Sequence, residues 1–354
     1  MQTATPKVLP IPDHFDAKNA SDWNYGEDEM QILGNATNWA TRYNIPSSAN
    51  DKFKVHLLMI DLQKDFCFPQ GNLFVAGRSG TGAIDDNVRI SEFIYQNLMY
   101  LTEITATLDS HLPFQIFFTP FWMDEDGKHP EAHTIITTDD IRKGKYSPNP
   151  AVASWLCGGN YNWLMQQVEF YCDELEKAKK YTLYLWPPHC LLGGKGHPLV
   201  SVIQEARLFH AYARGAKNSI QVKGANFLTE NYSVFSPEVL MRFDGSPLAQ
   251  RNTNFLDDIV VADATVILGQ AGSHCVASSI GDLLAQLMVK DHSLCKKVYI
   301  VRNCMSPVTV PDGKGGFVFD FTDNQDKALD EFIAAGMNVV ESTTPMEDWP
   351  GMNL

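Results

Sequence analysis

Three residues of complementary chemistry, Asp61, Lys223 and Cys275, each stand where an apolar run gives way to polar or small residues. A carboxylate that accepts a proton, an ammonium that stabilises an anion and a thiol that becomes a nucleophile are the parts of acyl transfer through a thioester. Cys275 has the fullest context. Val266, Ile267 and Leu268 read as a buried strand, and Val276, Ile280, Leu283, Leu284 and Leu287 then recur at helical spacing. The thiol is therefore expected at a strand-to-helix turn, where unpaired amides can hold a developing oxyanion and the helix dipole favours thiolate. Asp61 closes the apolar run KVHLLMID, and Lys223 follows a short strand predicted over 219–222. Taken singly, each has an ordinary explanation: a buried structural cysteine, a loop acid, a solvated lysine. Their shared placement argues otherwise, because the C-terminal ends of parallel strands converge on one crevice.

The rest of the chain must supply that sheet. A helix over 28–42 precedes a fully buried strand at 54–61, a loop at 63–75, an amphipathic helix at 82–101 and a strand at 103–108 that delivers Asp109-Ser110-His111. From the aromatic stretch 114–122 to about 183 the chain is irregular, with one helix near 161–179, and is too long for a simple crossover. It reads as an insertion over the site. Pro- and Gly-dense 186–196 is loop, 197–214 is a helix stopped by Gly215, and short helices are expected at 237–243 and 247–256. A strand at 297–302, a helix at 324–335 and a strand at 337–341 follow the Cys275 unit. The alternation implies an α/β fold, a doubly wound, six-stranded, mainly parallel sheet with helices on both faces. The expected organisation is an N-terminal extension at 1–52, one domain at 53–345 with its insertion at about 122–183, and a tail at 346–354.

A formal charge of -14 and the absence of a Lys/Arg cluster argue against nucleic acid or an anionic membrane as partner. No apolar run has the length of a membrane span, and 1–15 lacks the apolar core of a signal peptide, so a cytoplasmic location is expected. Seven widely spaced cysteines then fit reduced thiols rather than a disulfide framework.

With these residues in place the chain resembles the isochorismatase-like cysteine hydrolases, and among them the nicotinamidases most closely, over about 54–342. MIDLQKDFCFPQGNL is similar to the family's first motif, VKGANFLTENYSVF to its lysine motif and GQAGSHCVASS to its nucleophile motif. The resemblance implies that Asp61, Lys223 and Cys275 are catalytic, that the Ala271–Gly272 peptide is cis, and that the amides of Gly272 and Cys275 form the oxyanion hole. WPPHC at 186–190 draws the match toward nicotinamidases. It implies a divalent metal on Asp109, His111 and His189, zinc first, iron or manganese as alternatives, and a carboxylate with two imidazoles suits all three. By the same resemblance Phe66, Leu73, Trp186, Tyr232 and Ala271 would line a ring pocket.

One position departs from the pattern: Gln115 stands where a further histidine is expected. Three ligands plus water, recruitment of His129 or His133, or loss of the metal all remain open at this point. The resemblance implies a homo-oligomeric cysteine amidohydrolase acting on a small aromatic or heteroaromatic carboxamide, nicotinamide to nicotinate being the first expectation. Two alternatives stand beside it. One is a metal-free relative cleaving another C–N or a vinyl-ether bond, and the other a non-catalytic binding protein on the same fold.

Overall fold

The computed structural model describes residues 8–179 and 181–354. The first seven residues of the expected extension and position 180 of the expected insertion lie outside the described residues. At the centre is a six-stranded sheet of β1 (Val55–Ile60), β2 (Glu103–Asp109), β3 (Asn218–Lys223), β4 (Ala264–Gly269), β5 (Val298–Val301) and β6 (Asn338–Val340). Every neighbouring pair is parallel, in the spatial order β6-β5-β4-β1-β2-β3. The central strands VHLLMI and ATVILG are buried at every position, as strands covered on both faces must be. The edge strand β3 instead leaves Ile220 and Val222 exposed.

The strand order places the site. From β1 the chain moves outward through β2 to β3, then returns to β4 beside β1 and moves the other way through β5 to β6. Right-handed crossovers in opposite directions put the two sets of helices on opposite faces and open a crevice between the ends of β1 and β4. One set is α2 (Gly82–Gln96) and α4 (Ser201–Arg214), with α1 (Glu29–Tyr43) packed on α4. The opposite set is α6 (Ala277–Lys290) packed on α7 (Thr322–Ala334). The remaining longer helices are α3 (Tyr161–Ala178) and α5 (Thr253–Val261).

The N-terminal segment docks on the first face through buried polar groups. Asp28 caps α1 by accepting from the Gln31 amide. Glu205 on α4 accepts from the Tyr25 hydroxyl at 2.5 Å and the Tyr95 hydroxyl at 3.0 Å. Arg214, fully buried at the end of α4, donates from Nη2 to both Asp51 oxygens at 2.6 Å and from Nη1 to the Pro46 carbonyl at 2.7 Å.

Several expected boundaries move. The 63–75 loop contains a helical turn, Lys64–Cys67. The 82–101 helix stops at Gln96, and the helix expected from 197 starts at Ser201, because the preceding residues pair with the Asp61 loop: Lys64 N–H donates to the Pro198 carbonyl and Val200 N–H to that of Leu62. Neither expected short helix at 237–243 and 247–256 forms as such, since most of those residues fold into turns tied by a Met241–Pro247 bridge. The helix in this stretch is α5, which starts only at Thr253 and runs on to Val261, with the Asn252 side chain capping it by accepting from Phe255 N–H. The insertion is more ordered than expected, with Trp122–Asp124 paired to Tyr146–Pro148 and Ile135–Ile136 to Leu183–Tyr184. A hairpin of Thr309–Pro311 and Phe317–Asp320 escaped the sequence reading, although the intervening DGKGG is a turn signal. Among the described residues no helix is long and apolar enough to cross a membrane.

Candidate active site

Asp61 is the first residue past β1. Its φ of 46° turns the fully buried carboxylate out of the strand and into the crevice. Thr107 of the neighbouring β2 fixes it twice: the hydroxyl donates to Oδ1 at 2.5 Å and accepts from Asp61 N–H at 3.0 Å. Lys223 ends β3 in register with Asp109 of β2. Its Nζ lies 2.5 Å from Asp109 Oδ1, 2.9 Å from Asp61 Oδ2, 3.0 Å from the Asn231 carbonyl and 3.7 Å from Cys275 Sγ. One buried ammonium therefore joins both carboxylates to the thiol.

The approach to Cys275 is set by small residues. At Gly269, where φ is 126°, a Cβ would lie 2.1 Å from the Ile60 carbonyl oxygen, so only glycine lets the ends of β4 and β1 come this close. The cis peptide is Gln270–Ala271, one residue earlier than the expected Ala271–Gly272. The expected oxyanion pair changes too, because Gly272 N–H already donates to the Ser306 carbonyl at 2.8 Å. Asp86 holds this loop from behind, accepting from Gln270 Nε2 at 2.8 Å and from the Ser306 hydroxyl at 2.6 Å. A single π turn, Gly272–Val276, then carries Cys275 into α6.

Electrostatics corrects a further expectation. The helix start by itself favours thiolate. Burial instead pushes the thiol well above its ordinary value, with Lys223 only partly offsetting this and Asp61 adding to it. Burial also raises Asp61, against the pull of Lys223. For Lys223 desolvation works against the charge, yet Asp109, Asp61 and Cys275 together outweigh it and hold the ammonium well above the usual lysine value. Asp109 goes the other way: burial opposes its ionisation, yet Lys223 and His111 hold it below the usual carboxylate range.

Asp109, His111 and His189 converge behind Lys223, with a ligand atom from each within 4.8 Å of the others. His111 Nδ1 faces the Gly224 carbonyl at 3.1 Å and His189 Nδ1 the Pro187 carbonyl at 2.8 Å, which turns both Nε2 atoms toward the corner. Among the described residues His111 Nε2 is buried without a hydrogen-bond partner, 3.4 Å from Asp109 Oδ2. Two ligands about 2.1 Å from a tetrahedral ion stand about 3.4 Å apart, so the donor set suits a divalent metal. Burial and His111 lower His189 to about 3, which keeps it neutral and able to ligate.

Gln115 is not part of this corner. Its fully buried amide donates to the Gly224 and Asn226 carbonyls, both at 2.6 Å, and accepts from Leu112 N–H at 3.0 Å. It shares the Gly224 carbonyl with His111 Nδ1, hence it sits on the side of that ring away from the ligating nitrogen. His129 and His133 bond to the Trp122 carbonyl and the Tyr184 hydroxyl, and neither joins the cluster.

Phe66, Leu73, Trp186, Tyr232 and Ala271 all line the small chamber that holds Cys275, together with Val75, Glu230, His274 and Val308. The sequence reading missed Thr107, Asn231, Glu230 and His274. Glu230 and Asn231 lie inside the lysine motif and His274 adjoins the nucleophile, so motif proximity was a usable signal for those three. Thr107 offered none beyond its place on a buried strand. Glu230 is fully buried, and desolvation raises it to about 7.

No protein-family model matches the chain, and no curated protein matches it. Solved structures of nicotinamidases and pyrazinamidases are similar in fold. One is a nicotinamidase/pyrazinamidase of Acinetobacter baumanii, 17% identical, covering 83% of this chain and 99% of that one at a TM-score of 0.47. Another is the yeast nicotinamidase Pnc1p bound to the inhibitor nicotinaldehyde, 20% identical, covering 81% and 99% at 0.48. A third is the pyrazinamidase of Pyrococcus horikoshii in complex with zinc, 18% identical, covering 81% and 99% at 0.43.

Proposed function

We propose that this chain is a nicotinamidase-like cysteine amidohydrolase that hydrolyses a small aromatic or heteroaromatic carboxamide, nicotinamide being the first substrate to test. The observation that carries the reading is the position of Lys223 Nζ, within reach of Asp61, Asp109 and Cys275 at once.

A resting thiol with a raised pKa needs a base of raised pKa beside it, and Asp61 meets that need. Asp61 takes the thiol proton while Lys223 stabilises the thiolate, which attacks the amide carbonyl carbon. The oxyanion is received by the amides of Ala271 and Cys275, since Gly272 N–H is engaged. The C–N bond then breaks and ammonia leaves with the proton held by Asp61. Asp61 next takes a proton from water as the water oxygen attacks the thioester carbon, the C–S bond breaks, and Cys275 recovers that proton from Asp61. Carboxylate and ammonium are the products. A divalent ion held by Asp109, His111 and His189 would act as a Lewis acid that orients the ring.

Ammonia release from nicotinamide, measured with purified protein and with Cys275→Ala, tests this. The expected result is turnover by the native chain and none above background by the variant. Turnover by Cys275→Ala would refute the mechanism.

A further inference from the structure

The chamber around Cys275 has a much larger neighbour. It leaves about 30 Å³ open, whereas an adjoining cleft has about 680 Å³. The two share Trp186, Tyr232 and His274, which form a thin aromatic wall: Trp186 Nε1–H donates to the Tyr232 hydroxyl at 2.8 Å, and the His274 ring packs edge-on against both. The cleft shares none of Asp109, His189 or Glu230, so it opens away from the metal corner. From His274 it runs along the first turns of α6, past Ala277 and Gly281, to a far side of Tyr184, Phe319, Phe321 and Phe332. Those aromatics come from the insertion, the 309–320 hairpin and its exit, and α7. The charged residues lining it, among the described residues, are Asp282 and Glu331, both acidic.

This arrangement has a chemical consequence, which rests on the amidase reading above. A carboxamide whose ring points to the metal corner presents its carbonyl to Cys275 and its nitrogen to the opposite side. Asp109 and His189 close the chamber on the metal side, and Trp186, Tyr232 and His274 separate it from the cleft, so a substituent on that nitrogen extends past His274 into the cleft. We propose that the cleft is a leaving-group subsite, and that the protein cleaves N-substituted aromatic carboxamides whose amine part is aromatic and neutral or cationic. The thiolate adds to the carbonyl carbon, the C–N bond breaks, and the amine nitrogen takes the proton from Asp61. A primary amine departs in place of ammonia, and water then releases the carboxylic acid from the thioester. Stacked and edge-on aromatic contacts would hold the amine part, and the acidic pair would repel an anion.

N-benzylnicotinamide and its para-aminomethyl and para-carboxylate derivatives are suitable probes, assayed for amine release beside nicotinamide. The native chain is expected to release benzylamine with kcat/KM at least equal to that for nicotinamide, to prefer the aminomethyl derivative and to reject the carboxylate. Ala328→Trp, which fills the cleft, should lower the benzyl-to-nicotinamide ratio of kcat/KM by about tenfold or more. Glu331→Lys, at an exposed position, should reverse the charge preference without burdening the core. Ammonia from nicotinamide with no amine from any benzyl probe would overturn the subsite and leave the amidase reading intact. Product from neither class would overturn the amidase reading. The subsite is then decided by calorimetric binding of N-benzylnicotinamide to Cys275→Ala, with weakening by Ala328→Trp supporting it and no binding overturning it. Cleft variants that change the sedimentation coefficient and leave probe binding unaltered would show that a second copy of the chain covers this face, which also overturns it.

Discussion

Gln115→Leu separates the two roles a buried amide beside a metal corner can play. Leucine fills the same volume but makes none of the three hydrogen bonds of Gln115. The Gly224 carbonyl keeps His111 Nδ1, so Leu112 N–H and the Asn226 carbonyl lose their partner. A stranded buried polar group costs about 1–3 kcal/mol. Both groups belong to half-buried residues and keep some access to water, which sets the expected loss at about 2–3 kcal/mol. Urea unfolding of the metal-free protein, held in chelator, reads this directly. The second effect concerns the metal: with Gly224 less firmly held, His111 is less well oriented, and affinity should fall about 10- to 100-fold, the usual consequence of losing such a support. Competition with a chromogenic chelator measures that, and stoichiometry at saturating metal should stay the same. Unaltered metal-free stability together with abolished metal binding would refute the reasoning, because that is the signature of a direct ligand.

Thr107→Val removes a hydrogen bond that favours the ionised form of Asp61. Since Asp61 must be ionised to accept the thiol proton, the acid limb of the kcat/KM profile should move to higher pH, starting from a native limb already above the ordinary aspartate range. A limb that stays in place or moves down would rule Asp61 out as the base. Gly196→Ala would place a Cβ 2.0 Å from Asp65 Cγ, displacing a carboxylate that accepts from Cys190 N–H at 2.6 Å and Asn72 N–H at 3.0 Å. Overpacking of this kind costs about 1–3 kcal/mol, and because Cys190 follows His189, metal affinity should drop as well; thermal melts with and without zinc check both. Removing metal by chelation should abolish or sharply lower amidase activity and leave far-UV circular dichroism intact. The three ligands are held by Gly224, Pro187 and Lys223 rather than by the ion, and readdition of zinc should restore turnover.

The sequence was most informative where the determining physics is local. Unbroken apolar runs marked β1 and β4, helical spacing after Val276 marked α6, and the polar residues closing those runs identified Asp61, Lys223 and Cys275 as strand-end groups. Gly215, with φ 53°, ended α4 where its freedom at positive φ predicted. One boundary moved because another segment claimed the backbone: the Pro198 carbonyl and Val200 N–H bond to the Asp61 loop rather than into a helix.

The chemistry of the site depended on partners far apart in the chain. Asp109 and Lys223 are 114 positions apart, yet β-sheet register sets them side by side. Gln115 looked like a missing ligand in sequence because its side-chain direction is fixed by carbonyls at 224 and 226, which no local pattern reveals. A helix start made Cys275 look like a ready thiolate, and the depth of its burial decided otherwise. By itself, then, the sequence determined which residue types stand at which strand ends, since periodicity and turn chemistry act over a few residues. Only the tertiary structure decided what each of them touches, how each is protonated and which amides remain free, because desolvation and hydrogen bonding are settled by segments that meet only once the sheet has assembled.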